Sequence, residues 1–445
     1  MKALFTRAAL AALLIASPPA AKAQTWPGLR EAIAEDYPYL ETLFKHFHAN
    51  PELSLREFET AKRLAAELRA LGIDVTVGVG GTGIVGVLKN GEGPTVLLRA
   101  DMDGLPIKER TNLPYASKAT QVDIDGEKKP VMHACGHDSH MTSLVGAARR
   151  LVAMKDDWAG TIVFVGQPAE ERIVGARMMI EDGLYERFPR PDYVVGHHVS
   201  SRLAHGTVSV KAGLMLSSSD TVDIIVPGIG THGASPHRGK DPVVIASQIV
   251  LALQTLVSRE LSPLEPGVVT VGAIHGGSKH NIIGEEVRLS LTVRSNSAES
   301  RETLLKGIKR IATHIGRAAG LPEDKLPKTI YSEESTGVTF NDADLTARAV
   351  KALEAQLGAD DVQPHEQRGM GAEDFYYFHA VTPPIPGFFF RVGGTSAERL
   401  ETEAETGMVV AAHHSPIFFI EPEPSIKVGV EANTTVVLAL LKKDG

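Results

Sequence analysis

The chain of 445 residues is poor in several residue types, and each shortage excludes something. A single cysteine, Cys135, cannot form a disulfide within the chain, so no disulfide framework holds this fold together. Aromatic residues make up only 5% of the sequence, and no basic patch accompanies the net charge of −8. This argues against a nucleic-acid partner. The remaining composition is that of a globular enzyme, and the length suits two domains.

The first residues differ from the rest of the chain. Lys2 and Arg7 precede the apolar run AALAALLIAS, and PPAAKAQ then supplies small residues in an A-x-A pattern. This pattern is typical of a secretory signal peptide cleaved after Ala23. The apolar run is too short for a permanent membrane anchor, although an uncleaved anchor is the alternative. We therefore expect a periplasmic or secreted protein with no membrane attachment after cleavage. In such an oxidising compartment a lone thiol is expected to be buried, to pair with another molecule or to serve as a metal ligand.

Short apolar runs bounded by turn residues suggest the fold. GIVGVL, TVLLRAD, TIVFVGQ and YVVGHH are separated by helical segments, which predicts buried parallel strands in an α/β sheet. A helix is predicted over DSHMTSLVGAARRLV, with Asp138 as its N-cap. From about Gly213 the order strand, helix, strand, strand, helix predicts a small α+β unit, completed by a strand before Tyr331.

These patterns divide the chain into four segments. Residues 1–23 are the predicted signal peptide, and residues 24–212 together with 331–445 form a discontinuous catalytic domain with a mostly parallel sheet. Residues 213–330 form a smaller inserted α+β domain.

Polar side chains fall where the predicted strands end. Asp101 follows TVLLR, the pair Glu170–Glu171 follows TIVFVGQ, and the pair His197–His198 ends YVVG. Cys135 and His137 precede the predicted helix. Since the carboxyl ends of strands border the crevice of an open α/β sheet, separate segments bring metal-ligand side chains to one edge. Adjacent residues on a strand point to opposite faces, so one histidine of the pair at 197–198 is expected as a ligand.

Each piece alone has a simpler explanation. A C-x-H pair can be a buried thiol beside a histidine that caps a helix, and adjacent glutamates commonly begin an exposed helix. Five segments together, however, are specific: RADMDGLPI, MHACGHDSHMT, QPAEE, HGASPH and GAEDF. They resemble the family of dinuclear metal amidohydrolases and carboxypeptidases that contains aminoacylases, hippurate hydrolases and auxin-conjugate hydrolases. The resemblance runs from about Phe47 to His414. It implies two divalent ions in the α/β domain and a lid domain that often dimerises, so we expect a homodimer or a higher homo-oligomer.

The resemblance also implies residue roles. It makes Glu170 the general base, with Asp101 and Glu373 bracing the site from outside the ligand set. Arg99 stands where more distant relatives carry a metal-binding histidine, so that position is not expected to bind metal. His197 and His413 remain alternatives to their neighbours as ligands. The implied metal ligands are Cys135, which bridges both ions, and His137, Glu171, His198 and His414.

The inserted domain contributes residues as well. The resemblance implies that His232 crosses a domain or subunit boundary to stabilise the tetrahedral oxyanion. Asn281 and Arg294 are candidates to hold a substrate carboxylate, which a guanidinium recognises through two hydrogen bonds. Gly284 replaces the proline that commonly follows NII, which leaves the shape of this loop open.

The ligand types suit zinc, and manganese, cobalt or nickel are alternatives. We therefore expect an exported enzyme that cleaves the amide bond of N-acyl amino acids with a metal-activated water and Glu170 as base. A dipeptidase or carboxypeptidase of the same mechanism is one alternative, and a non-catalytic metal-binding protein is another. A cysteine hydrolase is a third, but the one-residue spacing of C-x-H is poor for a nucleophile and its base.

Overall fold

The computed structural model describes residues 25–407 and 410–442, so the predicted signal peptide lies outside the described residues. The helices are α1 Leu29–Ala49, α2 Phe58–Ala70, α3 His137–Ala153, α4 Gly175–Glu181, α5 Leu184–Arg187, α6 Pro242–Thr255, α7 Ala298–Ala318, α8 Ala343–Leu357, α9 Tyr376–His379, α10 Ala397–Thr406 and α11 Pro422–Leu440. The strands are β1 Asp74–Val79, β2 Gly83–Asn90, β3 Thr95–Asp101, β4 Thr120–Val122, β5 Lys128–Pro130, β6 Gly160–Gln167, β7 Tyr193–Ala204, β8 Val208–Val210, β9 Gly213–Leu216, β10 Ser219–Pro227, β11 Thr231–His232, β12 Gly267–Gly276, β13 Ile282–Ile283, β14 Glu286–Ser295, β15 Lys328–Thr336, β16 Thr339–Asn341, β17 Val362–Pro364 and β18 Gly387–Thr395.

Eight strands form the larger sheet, in the order β1-β2-β6-β3-β7-β18-β8-β17. The pairs β6–β3, β3–β7, β7–β18 and β8–β17 are parallel, which confirms the predicted α/β sheet. The direction of β2 was predicted wrongly, because β2 is antiparallel to both β1 and β6. A tight turn joins β1 to β2, and Gly80 and Gly81 in this turn have positive φ. A turn this short can join only antiparallel strands.

The larger sheet is buried on both faces. In β3, Val96 and Leu98 belong to one hydrophobic cluster and Leu97, between them, belongs to another. The first cluster includes residues of α1, α2, α3, α8 and α11, and the second includes residues of α4 and α9. This alternation explains why the strand sequences are apolar almost throughout. The polar residues are left to the strand ends.

The smaller sheet is antiparallel, in the order β12-β14-β10-β15. Its buried side chains alternate along β14, and a separate hydrophobic cluster joins them to α6 and α7. Both helices begin at side-chain caps, since Asp241 accepts the N–H of Val243 and Ser297 accepts the N–H of Ser300. The predicted domain boundaries at 213 and 331 fall within β9 and β15. β9 contributes Met215 and Leu216 to a cluster of the larger sheet, whereas β15 belongs to the smaller sheet.

We call the domain of the smaller sheet the lid, after its predicted role. One segment of it, Pro242–Glu260, is long and apolar enough to cross a membrane by length and composition alone. One such helix is weak evidence for a membrane span. Ile245, Ile249 and Leu253 pack in the lid core, while Val243 and Leu251 are exposed. The segment is thus a core helix of the lid with an exposed apolar face.

Candidate metal centre

The side chains at the carboxyl ends of the strands of the larger sheet converge on one point. Three groups of ligand-type atoms share members, and within each group all the atoms lie within 4.8 Å of one another. The groups are Cys135–His137–His198, Cys135–Glu171–His414 and His137–Glu170–Glu171. Glu170 and the five residues implied as metal ligands therefore lie together, although four separate segments deliver them.

Two histidines of this cluster, His137 and His198, are held by hydrogen bonds to backbone carbonyls. His137 Nδ1 lies 2.8 Å from the carbonyl oxygen of Asp103, and His198 Nδ1 lies 2.6 Å from that of Val199. Since a carbonyl only accepts, each Nδ1 carries a proton, and each Nε2 is the ring nitrogen that faces the cluster. His198 Nε2 lies 3.3 Å from Cys135 Sγ. A metal ligand needs this tautomer.

Two buried atoms of the cluster lack a hydrogen-bond partner anywhere in the described part of the chain. These are His137 Nε2 and Glu171 Oε1. Buried polar atoms are nearly always satisfied, and both of these face the thiol and the other donors. Thiol, imidazole and carboxylate on one point suit a divalent cation such as zinc. The residues present therefore fit bound metal.

The two histidines of each adjacent pair have different neighbours. On β7, His198 enters the cluster, whereas His197 stacks on Phe390 and hydrogen-bonds with Asn433 at 3.2 Å. Near the C-terminus, His414 Nε2 lies 3.3 Å from Glu171 Oε2. His413 Nδ1 lies 3.9 Å from Cys135 Sγ. His413 thus stays a neighbour of the cluster, and the choice between the two as ligand stays a prediction.

A fully buried arginine organises the layer beneath the cluster. Arg99 donates to Gln167 Oε1 at 2.7 Å and to Asp101 Oδ2 at 2.8 Å, and it is paired with Glu373. His140 joins this layer to β7, because its Nδ1 donates to Asp101 at 2.6 Å and its Nε2 accepts the N–H of Val199 at 2.8 Å. Arg99, His140 and Gln167 were not among the site residues predicted from the sequence.

Asp103 holds the loop that carries the two glutamates. Its carboxylate accepts the N–H groups of Glu170 at 3.1 Å and of Glu171 at 3.0 Å, and it also accepts the hydroxyl of Ser54 at 2.6 Å. Its carbonyl oxygen fixes His137. Buried Glu57 accepts the N–H of Ala169 in the same loop at 2.8 Å. Asp103 was also missed from the sequence. Its place in the segment RADMDGLPI, two residues beyond the end of β3, was the available signal.

Burial dominates the electrostatics of these groups. Burial, followed by the charge of Glu373, raises the pKa of Glu170 well above its usual range. Burial raises the pKa of Glu171 to about 8. Burial, followed by the charges of Glu171 and Glu170, also raises the pKa of the Cys135 thiol. Burial also lowers the pKa of His198 well below its usual range. Cys135 and His198 therefore do not form a thiolate–imidazolium pair on their own. Despite burial, the charges of Asp101 and Asp103 raise the pKa of His137 to about 10.

The predicted lid residues do not all reach this cluster. A metal pocket of about 510 Å³ is lined by Cys135, Glu170, Glu171, His198, Arg294, Arg391 and His414, among others. Arg294 thus faces the cluster from the lid. His232 and Asn281 instead line a separate cavity with Gly284 and Lys279. His232 is exposed there, and its Nδ1 accepts the N–H of Ala234 at 3.0 Å.

Comparisons with known proteins place this geometry in a family. Residues 97–407 match the model of peptidase family M20/M25/M40. The hippurate hydrolase of Campylobacter jejuni is 39% identical over 76% of this chain and 84% of its own length. The thermostable carboxypeptidase 2 of Saccharolobus solfataricus is 34% identical over 93% of this chain and 98% of its own.

A solved structure agrees with these relatives. The YXEP protein of Bacillus subtilis, described as a dinuclear metal-binding peptidase of the M20 family, is 27% identical to this chain. The similarity covers 92% of this chain and 99% of that one, with a TM-score of 0.73. The chain therefore belongs to peptidase family M20/M25/M40 and is a metal-dependent hydrolase of amide and peptide bonds.

Proposed function

We propose that the protein is an exported hydrolase of N-acyl amino acids. In this proposal Cys135, His137, Glu171, His198 and His414 hold two divalent ions, of which zinc is favoured. The observation that carries the proposal is the pair of orphaned buried atoms, His137 Nε2 and Glu171 Oε1, facing a buried thiol. The relatives named hippurate hydrolase and carboxypeptidase support cleavage of an amide next to a carboxylate, and hippurate is itself an N-acyl amino acid.

When bound, divalent ions supply Lewis acidity that polarises an amide carbonyl and makes water a stronger nucleophile. Glu170 takes the proton that the attacking water loses and delivers it to the leaving nitrogen. Burial favours the protonated form of this carboxyl group, which suits the second of these two tasks. Asp103 keeps Glu170 beside the ligands through the backbone N–H groups of the loop.

Arg294 supports an amino-acid carboxylate as one end of the substrate. Its guanidinium is half-buried on the lid wall of the metal pocket, and it forms no ion pair within residues 25–407 and 410–442. The nearby acid Asp220 is already held by Arg301 through two hydrogen bonds of 2.7 and 2.8 Å. An arginine left without a partner beside a reaction centre is suited to bind a substrate carboxylate. Asn281 remains a proposed second contact.

His232 is proposed to stabilise the oxyanion, and its position requires a further step. The side chain is exposed outside the metal pocket, so either lid closure or a second copy of the chain must bring a histidine to the substrate. A homodimer through the lid is supported by the exposed apolar face of α6 and by β12, an edge strand of the smaller sheet.

Two observations weigh against the other functions. A cysteine hydrolase needs a thiolate activated by its histidine, but burial raises the pKa of Cys135 and lowers that of His198. The pKa of His137 is raised by the carboxylates Asp101 and Asp103, not by the thiol. A protein that only binds metal has no use for a buried carboxyl group at Glu170 beside the ligands. A dipeptidase or carboxypeptidase with this mechanism remains the second candidate, because a relative named carboxypeptidase covers nearly the whole chain.

The deciding experiment is a hydrolysis screen of N-acetyl amino acids, hippurate and dipeptides with zinc, manganese or cobalt. We expect turnover of acylated amino acids that carry a free carboxylate, and loss of turnover after exhaustive chelation. Turnover of dipeptides alone would move the assignment to the second candidate. Full activity without metal would favour the thiol nucleophile instead.

Export is a separate part of the proposal and rests on the sequence of residues 1–23. We expect N-terminal sequencing of the active protein to begin at Gln24, the residue after Ala23. Active protein that begins at Met1 would contradict export by cleavage.

A further inference from the structure

A second cavity opens beside the metal pocket. It has a volume of about 490 Å³ and shares Gly371, Arg391 and His413 with the metal pocket. We call it the side cavity, and its other walls include Ser209, Met215 and His365. A group attached to a substrate in the metal pocket can therefore extend past Arg391 into this space. Its size is that of a ligand site rather than of a packing defect.

Arg391 stands at the boundary between the two cavities. It lies on β18, in register with His198 of β7 and with Ser209 of β8. Its guanidinium is half-buried and sits over the Phe389 ring, 5.7 Å from the centroid. Among the described residues no carboxylate forms an ion pair with it and no acceptor takes a hydrogen bond from it. A guanidinium withdrawn from water without a partner is costly, and burial lowers its pKa.

The other charges on the wall of the side cavity are already compensated. Arg202 is paired with Glu403, and Arg368 is paired with Glu366 at 3.1 Å. Burial lowers the pKa of His365 to about 4, so this ring is neutral at neutral pH. Among the described residues of this wall, Arg391 is thus the cation without an ion-pair partner. Bound divalent ions in the neighbouring pocket would offset the negative charge of Glu373 and Glu170 that acts on it. An anion is the ligand that this field favours.

We propose that Arg391 binds a second carboxylate of the substrate in the side cavity, so that the enzyme prefers N-acyl amino acids with two acidic groups. This inference rests on the proposed function, in which Arg294 holds the first carboxylate. The second carboxylate comes from the side chain of the amino acid or from the acyl group. In either position it forms a charge-assisted, bidentate pair with the guanidinium. Arg391 is therefore a specificity residue, distinct from the residues that move protons.

The test compares kcat/KM within two matched pairs of substrates. N-acetyl-L-glutamate against N-acetyl-L-glutamine places the acid in the amino acid, and N-succinyl-L-alanine against N-butyryl-L-alanine places it in the acyl group. We expect the acidic member of at least one pair to be preferred, and that pair identifies the source. In Arg391→Met the preference should fall about 10- to 100-fold, the range of one hydrogen bond to a charged group.

Two further variants make the result specific. Arg391→Lys keeps the charge and should retain part of the preference, while Arg202→Met removes a paired arginine of the same wall and should leave the preference within about threefold. Equal turnover of both members, or a preference that survives in Arg391→Met, would overturn the inference and leave the proposed function standing.

If neither substrate pair is hydrolysed, that result counts against the proposed function itself. Binding measurements then test the anion site separately. Calorimetry with glutarate and butyrate, on metal-loaded wild type and Arg391→Met, then measures the anion site directly. Tighter binding of glutarate that is lost in Arg391→Met supports the second carboxylate site. Equal affinities for the two acids in the wild type would overturn it.

Discussion

The metal cluster of the larger sheet and the lid segment HGASPH, which begins at His232, differ in how firmly they hold their side chains. His137 and His198 of the cluster are each fixed by a hydrogen bond from Nδ1 to a backbone carbonyl, and Asp103 fixes the glutamate loop. The side chain of His232 is exposed, and its Nδ1 accepts the N–H of Ala234 two residues further on, whereas its backbone pairs with Ile282. The first region is thus organised before substrate arrives, whereas the second must be brought to it. The variants below test this division, from the largest expected effect to the smallest.

Glu170→Gln should have the largest effect on turnover. Removing a general base costs about 10²- to 10⁴-fold in kcat, and the metal content should remain that of the wild type because the ligands are untouched. The matched control is Glu171→Gln, which removes a proposed ligand next to it and should lose metal as well as turnover. Kinetics and elemental analysis on the same samples provide the measurement. Unchanged kcat in Glu170→Gln would remove this residue from the mechanism.

His232→Ala tests the exposed lid residue. Loss of one oxyanion donor lowers kcat by about 10²- to 10³-fold, with little change in metal content or melting temperature. If a second copy delivers the histidine, mixing His232→Ala with Glu170→Gln subunits restores activity, since one of the two sites then has both intact residues. If the lid of the same subunit delivers it, mixing restores nothing. A kcat equal to that of the wild type would place His232 outside the reaction.

Asp103→Asn probes the fixed region one layer below the ligands. The variant replaces one acceptor oxygen with an amide that cannot accept, so one N–H of the glutamate loop loses its partner. Residues that orient ligands typically contribute 10- to 100-fold in metal affinity or activity, and we expect a loss of about that size. Asp182→Asn is the matched control, because Asp182 also accepts a backbone N–H, from Gly80, but outside the cluster. Equal metal affinity in both variants would contradict the role of Asp103.

His48→Gln is expected to change stability more than activity. His48 lies 2.7 Å from Asp138 and 3.1 Å from Glu109, and despite burial these acids raise its pKa to about 9. A raised pKa means that the charged histidine stabilises the fold fully below about pH 6.5, and this contribution is lost as the pH rises towards 9. The contribution is on the order of 3 kcal/mol. The difference in the free energy of unfolding between wild type and His48→Gln should therefore be largest at pH 6.

Denaturant unfolding of the metal-loaded proteins between pH 6 and 9 measures this difference. Exposed His46 on the same helix supplies the control, since His46→Gln should show no comparable dependence on pH. A difference between wild type and His48→Gln that grows with rising pH would show that the sign of the coupling is wrong.

Much of the larger domain could be predicted because its strands are buried on both faces. TVLLRAD, TIVFVGQ and YVVGHH are apolar runs for that reason, and their polar ends marked the site. The direction of β2 depends on the turn at Gly80–Gly81, which periodicity does not show. The helix α3 begins at His137 after Gly136, so Asp138 is not its N-cap as predicted. Its carboxylate instead binds His48.

The residues that escaped prediction act through distant partners. Asp103 matters because its carboxylate meets a loop more than sixty residues away in sequence. Arg391 matters because its guanidinium forms no ion pair within residues 25–407 and 410–442. Neither property can be recognised from a local sequence pattern. The exposed position of His232 was likewise unpredictable, since it depends on the three-dimensional arrangement of β11 and β13 in the smaller domain.

The most direct test of the metal centre is elemental analysis of purified protein, combined with activity before and after chelation and metal return. The account predicts two divalent ions per subunit in the wild type and in Glu170→Gln, and fewer than two in Cys135→Ala. It also predicts that activity disappears and returns with the ions in the wild type. Full turnover by protein stripped of metal, or two ions retained in Cys135→Ala, would contradict it.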